Sequence, residues 1–228
     1  SGADLTSVPP NDDLSFDVDG LVRAVQSTEA RLTVLTTPNN PTGLALSLAE
    51  IERIVEASPG MVVVDEAYVE FSESPSMIDL LAEREDVAVL RTFSKAYGLA
   101  GLRLGYAVVP EAWADAYARI NTPFAASEVA CRAGLAALED DDFLERTVET
   151  AAWAKEYIRD TIECPTWASA GNFVLCDVGD GTEVSAAAQR EGIIVRDATS
   201  FGLPGCVRIT CGTRQGTKRA VEVLNGLL

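Results

Sequence analysis

The first half of the chain alternates short apolar runs with amphipathic segments. The apolar runs are rich in β-branched residues, as is typical of strands buried on both faces of a parallel sheet. Ser47 followed by Glu50 is the pattern of a helix capping box, and Pro59-Gly60 ends that helix. A further helical piece is predicted at 77–85. The predicted strands are residues 32–38, 61–69, 87–93 and 102–110. This alternation predicts an α/β fold, a mostly parallel sheet covered by helices.

The second half has a different pattern. Residues 125–164 are predicted to be almost entirely helical, with a break near the acidic run at 139–142. The elements predicted after it are strands at 172–178, 192–197 and 206–211, and helices at 182–191 and 213–228. We therefore expect two domains: 1–122, part of a large α/β domain, and 123–228, a long interdomain helix followed by a smaller α+β domain.

Composition and charge limit the classes of partner. Acidic residues outnumber basic ones by 35 to 18, giving a net charge of −17 that disfavours nucleic acid and anionic membranes. No apolar run approaches the ~20 residues of a membrane helix, and the first residues lack a signal-peptide pattern, so a cytoplasmic location is expected. Strong acidity with few lysines suits a salt-rich cytoplasm, although it is also compatible with an ordinary acidic protein.

The absence of histidine restricts the possible chemistry further. The five cysteines form no Cys-x-x-Cys pair, so no metal site is expected, and buried or inert thiols are the simpler interpretation. Serine–histidine and cysteine–histidine mechanisms are excluded. A general base in this chain must therefore be a lysine, a carboxylate or a tyrosine.

Polar residues cluster where the predicted strands of the first half end. Asn40 lies in TPNNPTG, Asp65 and Tyr68 in DEAY, and Lys95 in TFSK. Ligands of open α/β sheets bind beyond the carboxyl ends of the strands. We therefore expect these side chains to converge on one pocket. Lys95 is one of only three lysines, with Lys155 and Lys218, and it lies among small and apolar residues.

Each of these residue types suits one part of pyridoxal 5′-phosphate. The Lys95 amine is a usable nucleophile, and Asp65, partly desolvated at a strand end, can pair with a ring nitrogen. Tyr68 and Asn40 can donate hydrogen bonds to a phenolate oxygen. The donors suited to a phosphate are Thr92, Ser94 and Arg103. Taken singly, a strand-end aspartate is more often a helix cap and TPNNPTG is a turn motif. The ordered combination is what indicates this cofactor.

The segments TPNNPTG, DEAY, SKAYGLAGLRLGY and VRITCGT together resemble the fold-type I pyridoxal-phosphate-dependent aminotransferases. GIIVRDATSFGLPGCVRITCGT, residues 192–213, is especially similar to the histidinol-phosphate aminotransferase subfamily. The resemblance extends over essentially the whole chain. It implies transamination of L-histidinol phosphate with 2-oxoglutarate, in histidine biosynthesis, by a homodimer.

The resemblance also implies roles for individual residues. Lys95 would form the internal aldimine and later move a proton, while Asp65 would keep the pyridine nitrogen protonated. Asn40 and Tyr68 would contact the phenolate oxygen. Thr92, Ser94 and Arg103 would hold the phosphate. The implied substrate-binding residues are Arg208, Asn172 and Arg196, the last of which could equally be a surface arginine.

The resemblance further implies that family members carry an N-terminal stretch before the point where this sequence begins. That stretch supplies a first sheet strand, a glycine-containing phosphate loop and an aromatic residue that stacks on the pyridine. The sequence therefore resembles an N-terminally truncated enzyme. The alternatives are an aromatic aminotransferase, a threonine-phosphate decarboxylase of the same fold, and a non-catalytic fragment or module.

Overall fold

The computed structural model describes residues 2–79, 84–122 and 124–228, which form two compact units. The first unit comprises residues up to Thr37 together with Leu46–Val69 and Ser74–Leu135. The second unit comprises Pro38–Ala45, Glu70–Glu73 and Ala136–Leu228. Two short segments from the first half of the chain thus belong to the second unit. The predicted division into 1–122 and 123–228 stays a prediction, and its boundary residue, Pro123, lies outside the described residues.

A four-stranded sheet organises the first unit. Its strands, in the spatial order β1-β2-β3-β4, are β1 (Leu32–Thr36), β2 (Met61–Asp65), β3 (Val87–Thr92) and β4 (Gly105–Val108). The first three run parallel, and β4 is antiparallel to β3. The helices of this part of the chain are α1 (Val18–Thr28), α2 (Leu48–Ala57), α3 (Glu111–Ile120) and α4 (Glu128–Leu138). The predicted α/β fold with a mostly parallel sheet is confirmed, and the carboxyl ends of β2 and β3 lie at the same sheet edge.

The core of the first unit explains why these strands form. Val62, Val64, Val87 and Val89 are fully buried, and Ile54 of α2 packs into the same cluster. Burying a side chain of this size contributes roughly 1.5–3 kcal/mol each. The predicted capping box at the start of α2 is present, with both reciprocal hydrogen bonds formed, and such a cap stabilises a helix by about 1 kcal/mol.

The second unit is built on a three-stranded antiparallel sheet. Its strands, in the order β5-β7-β6, are β5 (Phe173–Asp177), β6 (Arg196–Asp197) and β7 (Cys206–Thr210). Its helices are α5 (Asp141–Thr161), α6 (Gly181–Arg190) and α7 (Arg214–Asn225). The core joins Ile158 of α5 and Leu224 of α7 to the strand residues Val174 and Val207. The Asp140 carboxylate caps α5, so part of the acidic run at 139–142 has a structural role.

Several elements differ from the predictions. Neither α1 nor α3 was predicted, although the Asp17 side chain that caps α1 is a signal that could have revealed that helix. The strand predicted at 192–197 is reduced to Arg196–Asp197. Gly192 and Ile193 form the turn that ends α6 instead, since the Ile193 amide donates to Ala188 O at 2.9 Å. The helical piece predicted at 77–85 lies partly outside the described residues. No helix in the described ranges combines the length and apolarity that crossing a membrane requires.

Candidate active site

The end of β2 presents a carboxylate and a phenol. Asp65 is the last residue of β2 and is half-buried, and its carboxylate accepts a hydrogen bond from the Ala67 amide at 3.0 Å. That bond turns the chain directly after the strand, as aspartate side chains commonly do. Tyr68 follows in the turn and is buried. The two predicted residues of DEAY therefore lie within one tight turn at the carboxyl end of a parallel strand.

The end of β3 brings Lys95 to Tyr68. The Ser94 amide donates to Thr92 Oγ1 at 3.1 Å, which folds the chain as it leaves β3. Lys95 Nζ then lies 5.1 Å from the centre of the Tyr68 ring. An ammonium at this distance over an aromatic face is attracted by the ring quadrupole. The structure therefore brings the predicted lysine next to a side chain of the turn that follows β2.

Arg103 joins the hydroxyl groups of this strand end. Its backbone is left-handed, with φ of 53°, and its guanidinium is exposed. Nη1 donates to Ala100 O at 2.9 Å and lies 3.5 Å from Ser94 Oγ. The predicted phosphate donors Thr92, Ser94 and Arg103 are thus one local group with a cation and two hydroxyls, a combination that suits a phosphate dianion.

A buried ion pair lies beside these strand ends, and the sequence interpretation assigned it no role. Arg91 Nε donates to Glu66 Oε2 at 2.9 Å, and their side chains are only 13% and 3% exposed. Glu66 belongs to DEAY, and Arg91 directly precedes TFSK. The signal that could have revealed them is a charged residue adjoining an otherwise apolar strand, since such a charge needs a partner when buried.

In the second unit, two residues predicted for different ligands contact each other. The Arg208 guanidinium donates a hydrogen bond to Asn40 Oδ1, and it also lies over the Phe173 ring, 4.9 Å from its centre. The loop that carries Asn40 is fixed by the bond from the Ala170 amide to Gly43 O, at 2.7 Å. Asn40 and Arg208 therefore belong to one hydrogen-bonded group.

Arg196 occupies a position that the sequence could not reveal. It lies directly opposite Arg208 in the β6–β7 register. Like charges at facing positions of an antiparallel pair repel each other. Arg196 is exposed and donates to Ser200 Oγ at 3.1 Å, with Phe201 beneath its guanidinium. Its side chain therefore has partners of its own, so both predicted interpretations of Arg196 remain open.

Asn172 directly precedes β5 and lines a cavity of about 420 Å³ within the second unit. Its carbonyl accepts a hydrogen bond from the Cys211 amide at 2.8 Å. Lys155 holds the preceding turn, with its Nζ donating to Ser169 O at 3.0 Å and to Phe71 O at 3.3 Å. Burial lowers the pKa of the Lys155 ammonium. Lys155 thus has a structural role, joining the backbone at Phe71 to the turn at Ser169, which the sequence did not predict.

Comparison with known proteins gives the family. The family model for aminotransferase class I and II matches residues 1–224. The chain is 65% identical over 223 residues to a histidinol-phosphate aminotransferase from Natronomonas pharaonis, with 97% of this chain and 62% of the relative covered. It is 58% identical over 223 residues to the one from Haloferax volcanii, with 97% and 61% covered. The chain therefore spans less than two thirds of the length of these relatives.

A solved structure extends the comparison to the fold. The histidinol-phosphate aminotransferase from Sinorhizobium meliloti, in complex with pyridoxal-5′-phosphate, is 31% identical and superposes with a TM-score of 0.88, covering 100% of this chain and 66% of that one. The family model and this likeness agree with the ordered motifs at the strand ends. The chain belongs to the class I and II aminotransferase family.

Proposed function

We propose that this chain is part of a pyridoxal-phosphate-dependent aminotransferase that transfers the amino group of L-histidinol phosphate to 2-oxoglutarate. The group at the two joined strand ends carries this proposal, with Lys95 Nζ 5.1 Å from the centre of the Tyr68 ring. Arg208 offers a guanidinium that suits an anionic group of the substrate. The names and identities of the relatives support the same substrate class.

The residues of the first unit fit pyridoxal 5′-phosphate. A primary amine, a carboxylate at a strand end, a phenol and a guanidinium–hydroxyl group all occur within two adjoining strand ends. We propose that Lys95 holds the aldehyde carbon, Asp65 the pyridine nitrogen, and Thr92, Ser94 and Arg103 the phosphate. Tyr68 would donate to the phenolate oxygen, and the same role for Asn40, which lies in the second unit, stays a prediction from the resemblance. Bound in this way, the cofactor supplies an electron-withdrawing ring that stabilises negative charge at the substrate carbon.

The chain's own groups then have defined tasks. The Asp65 carboxylate holds a proton on the ring nitrogen, since an adjacent negative charge favours the protonated form. The Lys95 amine accepts a proton from the substrate carbon and returns it. The Tyr68 ring restricts where Lys95 Nζ can lie, 5.1 Å from its centre. Arg103 anchors the phosphate through charge-assisted hydrogen bonds.

Substrate recognition is assigned to the second unit. Arg208 would bind the acidic end of the substrate, with Asn172 assisting and Arg196 adding a second contact. The Asn40–Arg208 hydrogen bond means that a substrate anion would compete with, or add to, an existing partner of Arg208. We propose that the complete enzyme is a homodimer located in the cytoplasm.

The three lysines make a direct test possible. Incubation with pyridoxal 5′-phosphate, reduction with borohydride and peptide mapping should place the pyridoxyl group on Lys95. Lys95→Ala should lose both the label and the visible absorbance of covalently bound cofactor. Lys218→Ala is the matched control and should keep both, because Lys218 is exposed and lies over Tyr157 on another element. A labelled Lys218 with an unlabelled Lys95 would refute the assignment.

The amino donor is tested separately. L-histidinol phosphate should discharge the bound cofactor faster than phenylalanine or threonine phosphate does. Preference for phenylalanine would indicate an aromatic aminotransferase, and release of CO₂ from threonine phosphate would indicate a decarboxylase. Failure of the 228-residue chain to take up cofactor at all would support a non-catalytic fragment.

A further inference from the structure

The buried ion pair of the first unit is attached to both strand ends of the proposed cofactor site. Glu66 follows Asp65 directly, and Arg91 precedes Thr92 directly. Asp65 pairs with Leu90 in the β2–β3 register, and the Glu66 amide donates to Leu90 O at 3.0 Å. Glu66 and Arg91 therefore occupy the next step of the register, where the two strands separate into their loops.

The Glu66 carboxylate accepts three hydrogen bonds, and both of its oxygens have a donor. Oε2 accepts from Arg91 Nε at 2.9 Å and from Ser76 Oγ at 2.7 Å, and Oε1 accepts from the Met77 amide at 2.6 Å. Arg91 Nη2 also donates to Ser76 Oγ at 2.7 Å. A carboxylate with a side chain only 3% exposed tolerates burial because three donors and a counter-charge replace its water.

The energetics argue against a role in global stability alone. A buried ion pair loses hydration energy that its attraction only partly returns, so an apolar pair of similar volume is often as stable. The pair joins the two chain segments that carry it. Here the segments are the turn with Asp65 and Tyr68 and the turn with Ser94 and Lys95.

We propose that Glu66 and Arg91 are positioning residues for the cofactor site. Through their ion pair, they fix the distance between the β2 turn, which carries the proposed ring-nitrogen and phenolate contacts, and the β3 turn, which carries the amine and the phosphate donors. Neither side chain is assigned a contact with the cofactor. This inference rests on the proposed function for its meaning, but its geometric part can be tested without cofactor.

The experiment removes the charges as a pair, so that no lone charge remains buried. Glu66→Gln combined with Arg91→Met is compared with Arg84→Met combined with Asp86→Asn. The control removes a different arginine–carboxylate pair of the same unit, joined by two hydrogen bonds of 2.8 and 2.7 Å and away from these turns. Hydrogen exchange is measured on the chain without cofactor, and binding of pyridoxal 5′-phosphate is then measured by absorbance over a pH series.

We expect amides in 65–69 and 92–98 to exchange about tenfold faster in the Glu66/Arg91 variant and not in the control. The dissociation constant for pyridoxal 5′-phosphate should rise by about tenfold or more, since small misplacements of binding groups weaken binding. The pH midpoint of the absorbance band should also shift, because the distance between the amine and the carboxylate changes. A loss of overall stability alone would not move that midpoint.

Unchanged exchange in both turns of a folded Glu66/Arg91 variant would overturn the inference. If the unsubstituted chain takes up no cofactor, the proposed function fails, while the exchange measurement still decides the positioning role. If the double variant does not fold, Arg91→Lys is tested instead. It keeps both buried charges and removes the Nη2 group, which donates to Ser76 Oγ. The same two turns must then loosen, or the inference is wrong.

Discussion

Burial favours the neutral forms of two titratable side chains in the second unit. It raises the pKa of the Cys211 thiol to about 12, an effect that the nearby Lys155 charge only partly offsets. It lowers the pKa of Lys155, whose ammonium is compensated by the carbonyls of Phe71 and Ser169. Both residues adjoin the segment 169–172, since Lys155 Nζ donates to Ser169 O and the Cys211 amide donates to Asn172 O.

Cys211 should make the fold sensitive to alkaline pH. Its pKa is raised on folding from an ordinary value of 9.0 to about 12. The stability that the neutral Cys211 thiol contributes is therefore complete below pH 9.0. It is lost as pH rises towards 12, because the thiol ionises mainly in the unfolded chain over that range. The loss should approach about 1 kcal/mol per pH unit. The measurement is urea unfolding at a series of pH values above 9.0, comparing the unsubstituted chain with Cys211→Ala.

The comparison has an internal control in Cys131, which is exposed on α4. Cys131→Ala should keep the alkaline loss, whereas Cys211→Ala should reduce it. Lys155 acts in the opposite direction, since its lowered pKa makes stability rise with pH up to its ordinary value of 10.5. Equal slopes for both cysteine variants would contradict the assignment to Cys211.

At the scale of elements, the loop Pro38–Ala45 shows how a turn motif is fixed to a distant segment. Gly43 has φ of +78°, and a Cβ on it would lie 2.3 Å from Ser169 Oγ and 3.0 Å from Ser169 Cα. The loop and the 169–172 turn therefore approach more closely than any other residue would allow. The Arg208–Asn40 hydrogen bond is made from this loop, so the position of Asn40 depends on that approach.

Gly43→Ala should destabilise the second unit by more than the cost of placing alanine at a positive φ, because the added Cβ would also clash with Ser169. The matched control is Gly202→Ala, which has nearly the same backbone, φ of +82°, and where no atom of the described residues lies within 4 Å of an added Cβ. We expect Gly202→Ala to lower the free energy of unfolding by about 1 kcal/mol, and Gly43→Ala to lower it by roughly twice that or more. Thermal unfolding of both variants measures the difference, and Ser169→Gly should recover part of the loss in Gly43→Ala. Equal losses at the two glycines would show that the close approach carries no energy.

At the scale of the whole molecule, the sequence predicted what depends on local pattern. Strands such as Val87–Thr92 were readable because burial on both faces demands an apolar run, and Lys95 and Asp65 were found because they follow such runs. α3 was missed although Trp113, Tyr117 and Ile120 are spaced as one face of a helix, and all three side chains are exposed in the structure. The Glu66–Arg91 pair and the Arg196–Arg208 register depend on which strands become neighbours, and no local pattern contains that information.

The net charge of −17 is also a property of the whole molecule, and relatives from halophilic archaea fit the hypothesis of salt adaptation. Screening shortens from about 10 Å at 0.1 M salt to about 3 Å at 1 M. Repulsion among exposed carboxylates should therefore fall steeply over this range. We expect the midpoint of thermal unfolding to rise with KCl, and most of the rise to come from relief of repulsion among exposed acidic residues.

A charge-reduced variant separates screening from a general effect of salt on apolar burial. Glu145, Glu149 and Glu156 are exposed on α5, and the first two form an i, i+4 pair of like charge. Changing all three to glutamine takes the net charge from −17 to −14. The variant should be more stable than the unsubstituted chain at low KCl and should gain less as KCl rises, so that the two curves converge. Parallel curves would mean that salt stabilises this chain by strengthening burial, with the acidic surface contributing solubility alone.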